Sequence, residues 1–510
     1  MFKKYKVYSI SVIICLSFTV WGVLPESLLG AFSLNNITTY MQSFISNEFG
    51  WLYMLLMLSF IVVCFYLMFS KYGDIKLGKE DDEPQFNYIS WIAMLFSAGM
   101  GIGLIFWGVS EPIMHLHEPA VVSDNLVRNA RLSMNYTFFH WGLQPWSLYA
   151  FLGLVIAYNT FRHNRPALIS ESVVYLFKEK RRERVANMTN IIAIIATVFG
   201  VATSLGLGAQ QISGGLHYLN ESIPNSFVVQ FLVIILVTIL YLTSATTGLD
   251  KGVKLLSNVN VIFAILLMLA VLLIGPTSFL LDLFVQSFGS YIQELPVLSF
   301  NMSIFDEAGR EWLNRWTLFY WAWWISWSPY VSTFIARISK GRTIKEFISG
   351  VLIVPTIFAF LWFTIFGGSA IWQEMFNEVE IFNVIQEKGV EIGLFSMLEN
   401  YGNFGKILTG LAMLLISSFF ITSADSATFV LGMFSSQGDL VPRKRIKISW
   451  GIIQSSIAII LLYAGGLEAL QAVSVLSSFP FIFIIVLMII QFFKSLSADN
   501  RVMIVKEKCK

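Results

Sequence analysis

Four tryptophans fall within nine residues, Trp321 to Pro329, as Trp321, Trp323, Trp324 and Trp327. A second aromatic group, Trp141, Trp146 and Tyr149, surrounds Pro145. At helical spacing Tyr320, Trp323, Trp324, Trp327 and Phe334 share an arc of about 100°. Neither segment carries an Asp or Glu at the depth of its aromatics. A box of π faces without carboxylates suits a quaternary ammonium group, which has no N–H to donate and spreads its charge over methyls. Each face contributes about 0.5–2 kcal/mol. Three or four faces would support binding of about millimolar to micromolar strength after ordering costs, a range that suits a carrier, which must also release its cargo. Generic core packing is the alternative for the Trp321–Pro329 segment taken alone. An aromatic belt would place the rings at the ends of the segment rather than its middle.

Other residues add to this chemistry. Gly99, Gly101 and Gly103 alternate in "SAGMGIGLIFWG". Each costs a helix about 1 kcal/mol relative to Ala, and their spacing does not repeat at the helical period, so the stretch predicts a break; close helix packing is the alternative. Freed N–H groups there would receive a carboxylate, as the N-terminus of a half-helix does. Pro329, following Ser326-Trp327-Ser328, predicts a second break. Thr422 and Ser423 in "FFITSADSATF" are adjacent hydroxyls in an apolar run, hard oxygen ligands of the kind sodium prefers. Such hydroxyls more commonly bond back to their own helix. Asp425 is a carboxylate within the same run; it has a functional role by default in lipid, or balances basic loop residues at the inner end. Of the histidines (His115, His117, His140, His163 and His217), the close pair His115 and His117 reads as ordinary loop residues without a metal-ligand partner. Cys15, Cys64 and Cys509 are odd in number and lack a C-x-x-C spacing, which supports neither a disulfide framework nor a zinc site.

The elements that must position these residues are membrane spans. The 510 residues are 56% hydrophobic and only 13% charged, against roughly 25% charged in a soluble chain, and mean hydropathy is +0.69. The net charge of +2 argues against a nucleic-acid partner. Apolar runs predict twelve spans near 8–27, 51–70, 88–108, 133–158, 188–216, 225–245, 253–274, 312–336, 347–367, 405–430, 448–465 and 468–493. The basic, then apolar start reads as a first span rather than a cleaved signal peptide. With the N-terminus inside, 28 of the 34 Lys and Arg fall in inside segments, as cytoplasmic loops should show. Both termini are then cytoplasmic in a multi-pass cell-membrane protein. Spans 3 and 8, the two predicted to be broken, start on opposite sides. Spans 3–7 and 8–12 thus form two five-helix halves of opposite orientation. That pattern points to an inverted-repeat transporter with its site at the broken helices.

The segments "SAGMGIGLIFWGVSEP", "WGLQPWSLYA" and "WTLFYWAWWISWSPYVSTFIARISKGRTIKEF" resemble the betaine/carnitine/choline transporter family, along nearly the whole chain. The resemblance implies an all-α membrane protein with the leucine-transporter-type inverted repeat. Residues 1–87 would hold the N-terminal segment and two extra spans, 88–311 the first repeat with its external loop, 312–493 the second repeat, and 494–510 a short cytoplasmic tail. It implies a homotrimer among membrane lipids. Its aromatic box carries over to Trp141, Trp146, Tyr149, Trp323, Trp324 and Trp327, with Phe319 and Phe334 as neighbours. A sodium site would use backbone carbonyls around Ser97 and Met100 together with Phe419, Thr422 and Ser423. A second would include Thr197, but Val201 stands one turn on, where a hydroxyl is needed. Asp in place of Gly103 would mark a proton-coupled choline carrier. The resemblance therefore implies sodium symport of glycine betaine, with sodium as coupling ion and no other cofactor. Carriers or exchangers of choline, carnitine or proline betaine remain open, and more distantly an ion channel or membrane enzyme. Osmoregulated members carry a long basic tail; here it is short, with Lys494, Arg501, Lys506, Lys508 and Lys510.

Overall fold

The computed structural model describes residues 5–99, 101–247 and 250–508. Among them there is no β-strand; one isolated bridge pairs Lys76 with Thr343. Helix is the form in which an open chain satisfies its own backbone polar groups in lipid.

The chain begins with α1 (Lys6–Val23) and α2 (Leu34–Phe69). Next come α3 (Tyr88–Gly99) and α4 (Ile102–His117), two pieces of one apolar stretch. α5 (Leu126–Trp141) and α6 (Leu143–Ala157) are likewise divided, at Gly142. α7 (Glu179–Leu219), α8 (Phe227–Thr247) and α9 (Asp250–Ile274) follow. α10 (Thr277–Phe300) departs from the line of α9 by 113°. A short helix, Glu307–Leu313, runs through a wide turn at Asn314–Leu318 into α11 (Phe319–Arg337). α12 (Ile344–Phe376), α13 (Asn403–Ser435) and α14 (Lys444–Lys508) complete the order. α14 bends where Gly465 and Gly466 leave helical geometry, Gly466 with φ of 57°.

Seven of the described helices are long and apolar enough to cross a membrane, or eight if α9 and α10 are one bent span. The difference from twelve apolar runs has physical causes. Two of the runs are cut into pieces of 12 and 16 residues, α3 and α4, and of 16 and 15, α5 and α6. Two others share α14, and the run that forms α11 is not among the candidate spans, its tryptophans, tyrosines and Pro329 lowering its hydropathy.

The glycine stretch is interrupted as its spacing predicts. α3 stops at Gly99, Gly101 is extended (φ −127°, ψ −156°), and α4 starts at Ile102. The break expected at Pro329 is absent, because α11 runs through it. Proline leaves the carbonyl four residues earlier without its N–H. Here that carbonyl belongs to Ile325, and Ser328 Oγ donates to it at 2.8 Å. Ser326 Oγ serves Trp323 in the same way at 2.9 Å. The Ser328 hydroxyl replaces the lost donor, so the helix holds.

α11 packs against α6, α7 and α14; α4 packs against α5 and α12; and α13 packs against α7, α8 and α9. Pro145 lies in the first turn of α6, where an N–H has no intrahelical partner to lose. Tyr291 of α10 closes that end, its hydroxyl accepting from Leu143 N–H at 3.2 Å and donating to Gln144 Oε1 at 3.1 Å. The start of α6, with Trp146 and Tyr149, is thereby fixed in place.

Candidate binding site

The alternating glycines of the α3–α4 break meet the edges of indole rings. A Cβ on Gly99 would stand 2.4 Å from Cη2 of Trp146. One on Gly101 would stand 3.2 Å from Cη2 of Trp327, and one on Gly103 2.5 Å from Cη2 of Trp323 and 3.1 Å from that of Trp141. Only a residue without Cβ lets backbone approach a ring so closely. Every second residue is glycine because every second residue abuts a tryptophan.

Beyond the glycines the rings touch in sequence. Trp146 meets Tyr149 edge-on with centroids 5.7 Å apart, Tyr149 meets Trp324 at 6.5 Å, and Trp324 meets Trp141 at 4.9 Å. Trp323 stacks on Trp324 at 4.7 Å and on Phe319 at 5.7 Å. Such edge-to-face and offset pairs hold the rings in mutual register. All six of these side chains and Trp327 are buried. Trp324 Nε1 donates to the His140 carbonyl at 3.0 Å. Trp323 Nε1 and the Tyr149 hydroxyl are buried without a hydrogen-bond partner. Phe334 is half-buried and, among the described residues, shares no ring contact with this group. An open cleft of about 1220 Å³ is lined in part by Trp107, Met114, Arg310, Trp316 and Glu468. Trp107 and Trp316 lie 6.2 and 6.4 Å from the ring of Tyr320.

The residues picked out for sodium are partly in view. Ser423 Oγ lies 3.6 Å from the Cβ position of Gly101, so α13 reaches the glycine break. Thr422 Oγ1 donates back to Ser418 or Phe419 carbonyls at 3.0 and 3.2 Å and accepts from Asn260 Nδ2 at 3.3 Å. Phe419 is buried on the same helix. Met100 lies outside the described residues, and of Ser97 only its place in α3 is described. Thr197 is buried and donates to the Ala193 carbonyl at 2.8 Å, with Val201 buried one turn on. Asp425 is buried and accepts from Ser244 Oγ at 2.7 Å.

The model of the betaine/carnitine/choline family transporters matches residues 6–501. The chain belongs to the betaine/carnitine/choline transporter family. It is 48% identical over 496 residues to the glycine betaine transporter OpuD of Bacillus subtilis, covering 97% of this chain and 95% of that one. It is 39% identical to a probable glycine betaine transporter of Desulfitobacterium hafniense, over 98% of both chains. It is 41% identical to an ectoine/hydroxyectoine transporter of Virgibacillus pantothenticus, over 90% of both. The chain is therefore a multi-pass membrane transporter and not an enzyme.

One part of the site in this betaine/carnitine/choline family transporter escaped the sequence. The aromatic group is not free of carboxylates: Glu111 of α4 is fully buried directly behind it. Its Oε2 accepts from Trp141 Nε1 at 2.7 Å and from the Tyr320 hydroxyl at 2.5 Å. Its Oε1 faces His140 Nδ1 at 2.7 Å and His115 Nε2 at 3.3 Å. His140 Nε2 in turn meets Thr317 Oγ1 at 2.9 Å. His115 is thus no loop residue. α4 continues to His117, and His115 is buried against Glu111 while His117 pairs with Glu374 at 3.0 Å. Ligand atoms of Glu111, His115 and His140 lie within 4.8 Å of one another, a spacing metal ligands share. Each Glu111 oxygen, however, already faces two hydrogen-bonding groups, and both His140 nitrogens are engaged, so the trio works as a hydrogen-bond hub. The signal available in the sequence was the carboxylate in "FWGVSEP" itself. Asn260 was missed as well; an Asn inside the apolar run of span 7 was its signal.

Proposed function

We propose that this transporter imports a betaine-type quaternary ammonium zwitterion, glycine betaine first, by sodium symport through alternating access. The observation that carries the reading is the continuous set of rings, Trp146, Tyr149, Trp324 and Trp141, drawn from α5, α6 and α11 and set against the glycine break. π faces hold a methylated ammonium group. The unpartnered donors Tyr149 O–H and Trp323 Nε1–H, with the backbone of the break, suit its carboxylate. The names of the relatives at 48% and 39% identity agree with glycine betaine as cargo. The reading gives sodium the hydroxyls of Ser423, which α13 brings beside the break, and of its neighbour Thr422, together with the carbonyls around Ser97 and Met100. A zwitterion gains nothing from voltage, whereas each accompanying sodium gains about 2.3 kcal/mol per 100 mV, so symport supplies the accumulation.

The same reading takes twelve spans with both termini cytoplasmic and a homotrimer in the cell membrane. In it α3 with α4 and α5 with α6 are each one interrupted span, and α14 supplies two. The distribution of Lys and Arg sets the orientation.

The test is uptake of radiolabelled glycine betaine by proteoliposomes, with and without an inward sodium gradient and with choline, carnitine, proline betaine and ectoine as competitors. Uptake is expected only with sodium, best competed by glycine betaine, and strongly reduced in Trp324→Leu and Trp327→Leu. Uptake that ignores replacement of sodium by potassium would replace symport with exchange. Normal kinetics in both variants would move the cargo away from these rings.

A further inference from the structure

We propose that Glu111 is an ionised counter-charge set behind the aromatic site, which positions Trp141 and Tyr320 and strengthens the hold of those rings on a cation; this deepens the quaternary-ammonium reading and rests on it.

Hydrogen-bonding groups crowd both oxygens of Glu111. Trp141 Nε1 can only donate, and it reaches Glu111 Oε2 at 2.7 Å. The Tyr320 hydroxyl donates to the same oxygen at 2.5 Å. On Oε1 stand His140 Nδ1 and His115 Nε2, at 2.7 and 3.3 Å. With the imidazole protons on His140 Nδ1 and His115 Nε2, four donors fill the four lone-pair sites of an ionised carboxylate. A protonated one would give up one of these sites and would need an imidazole or Tyr320 turned to accept its proton. Thr317 Oγ1, at 2.9 Å from His140 Nε2, can donate to it when the imidazole carries its proton on Nδ1. Burial opposes an isolated charge, but charge-assisted hydrogen bonds of this number and length offset that cost. The hub then carries one negative charge among neutral partners.

The charge is placed to act on the site. Trp141 and Tyr320 are in edge-to-face contact at 5.5 Å, and both touch Trp324, at 4.9 and 5.9 Å. His140, held by Glu111 through its ring, accepts the Trp324 N–H on its backbone carbonyl. Glu111 therefore fixes three rings of the set, two through their own polar atoms and one through His140. A carboxylate drawing on an indole N–H and a phenol O–H also pushes electron density into those rings, which deepens the negative face that a cation meets. In low dielectric the bare charge adds to the same attraction. The cation never touches the carboxylate, so Glu111 is a positioning residue rather than a ligand.

Two ligands of equal shape separate charge from packing. Glycine betaine carries a trimethylammonium head, and 3,3-dimethylbutyrate carries the same head with carbon in place of the charged nitrogen. Binding of each to the purified full-length chain is read by tryptophan fluorescence in saturating sodium. The parent is expected to prefer glycine betaine at least tenfold. Glu111→Gln, which keeps the shape and an oxygen for Trp141 and Tyr320 but removes the charge, is expected to lose about tenfold of that preference, about 1.4 kcal/mol, while 3,3-dimethylbutyrate binds as before or better. Glu111→Asp keeps the charge and is expected to retain the preference while weakening both ligands. Tyr320→Phe removes one donor and is expected to lose about threefold; it carries the test should Glu111→Gln fail to fold. Equal weakening of both ligands in Glu111→Gln, or an unchanged preference in every variant, would overturn the counter-charge. Failure of the parent to bind glycine betaine would overturn the functional reading instead.

Discussion

Gly103 and Trp323 are in direct contact, a Cβ on the glycine falling 2.5 Å from Cη2 of the indole and 3.1 Å from that of Trp141. Both indoles are buried and packed on other rings, so neither can swing aside freely. Gly103→Ala must therefore displace the ring set. Glycine betaine affinity is expected to fall tenfold or more, about 1.4 kcal/mol, measured by fluorescence titration. Gly410→Ala is the control, since nothing lies within 4 Å of its Cβ position on α13. It should leave affinity unchanged and gain slightly in stability, by up to about 1 kcal/mol from helix propensity. Equal behaviour of the two variants would mean that the rings yield.

Ser328 makes Pro329 tolerable in α11, its hydroxyl donating to the Ile325 carbonyl at 2.8 Å. Ser328→Ala leaves that buried carbonyl without a donor, a loss of about 1–3 kcal/mol. A lower midpoint of thermal aggregation in detergent is the expected result. Adding Pro329→Ala restores a backbone N–H for the same carbonyl, so the double variant should recover the parent midpoint. If Ser328→Ala melts with the parent, the carbonyl has another partner and the explanation of the unbroken helix fails.

How far these relationships can be read from the sequence depends on their range. The break at Gly99 to Gly103 is legible because alternating glycines conflict with the helical period within a few residues. The tryptophan face of α11 is legible because helical spacing fixes which side chains align. Pro329 misleads because its cost is cancelled by a hydroxyl one residue away, an interaction that Ser permits but does not dictate. Glu111 is illegible for another reason. Its partners His140 and Tyr320 lie 29 and 209 residues along the chain, so counting carboxylates on the segments that carry the rings misses it. His115 was misplaced by ending the apolar run at 108, whereas buried polar partners let α4 continue to His117. Orphan donors such as Trp323 Nε1 exist only in three dimensions.

Glu391 gives the transporter a pH-dependent stability. It lies between α12 and α13, outside the spans, and burial raises its carboxyl above the ordinary range although Asn225 Nδ2 donates to it at 2.8 Å. A carboxyl raised on folding binds its proton more tightly in the folded chain than in the unfolded one. Stability therefore falls as pH rises from the unfolded value, about 4.3, through the folded one, and is level above it. Glu391→Gln removes this titration while its amide oxygen can still accept from Asn225. It should melt above the parent at pH 7 and lose that advantage towards pH 4, as thermal scans at the two pH values would show. A variant that melts below the parent at pH 7 would reverse the sign and show that the Asn225 bond outweighs burial.

Sodium activation of uptake separates one coupled ion from two. Thr422 and Ser423 are adjacent on α13, with Ser423 Oγ 3.6 Å from the Cβ position of Gly101 at the glycine break and Thr422 Oγ1 held by Asn260 at 3.3 Å. Removing either oxygen, as Thr422→Val or Ser423→Ala, should raise the sodium concentration for half-maximal uptake about tenfold or more, about 1.4 kcal/mol. Glycine betaine affinity in saturating sodium should move much less. Thr197 is different, because the residue one turn on, Val201, has no oxygen to offer beside it. Thr197→Val should therefore leave sodium activation unchanged, and the parent's activation curve should be hyperbolic rather than sigmoidal. A sigmoidal curve that Thr197→Val flattens would establish a second ion and require its ligands to be sought away from Val201.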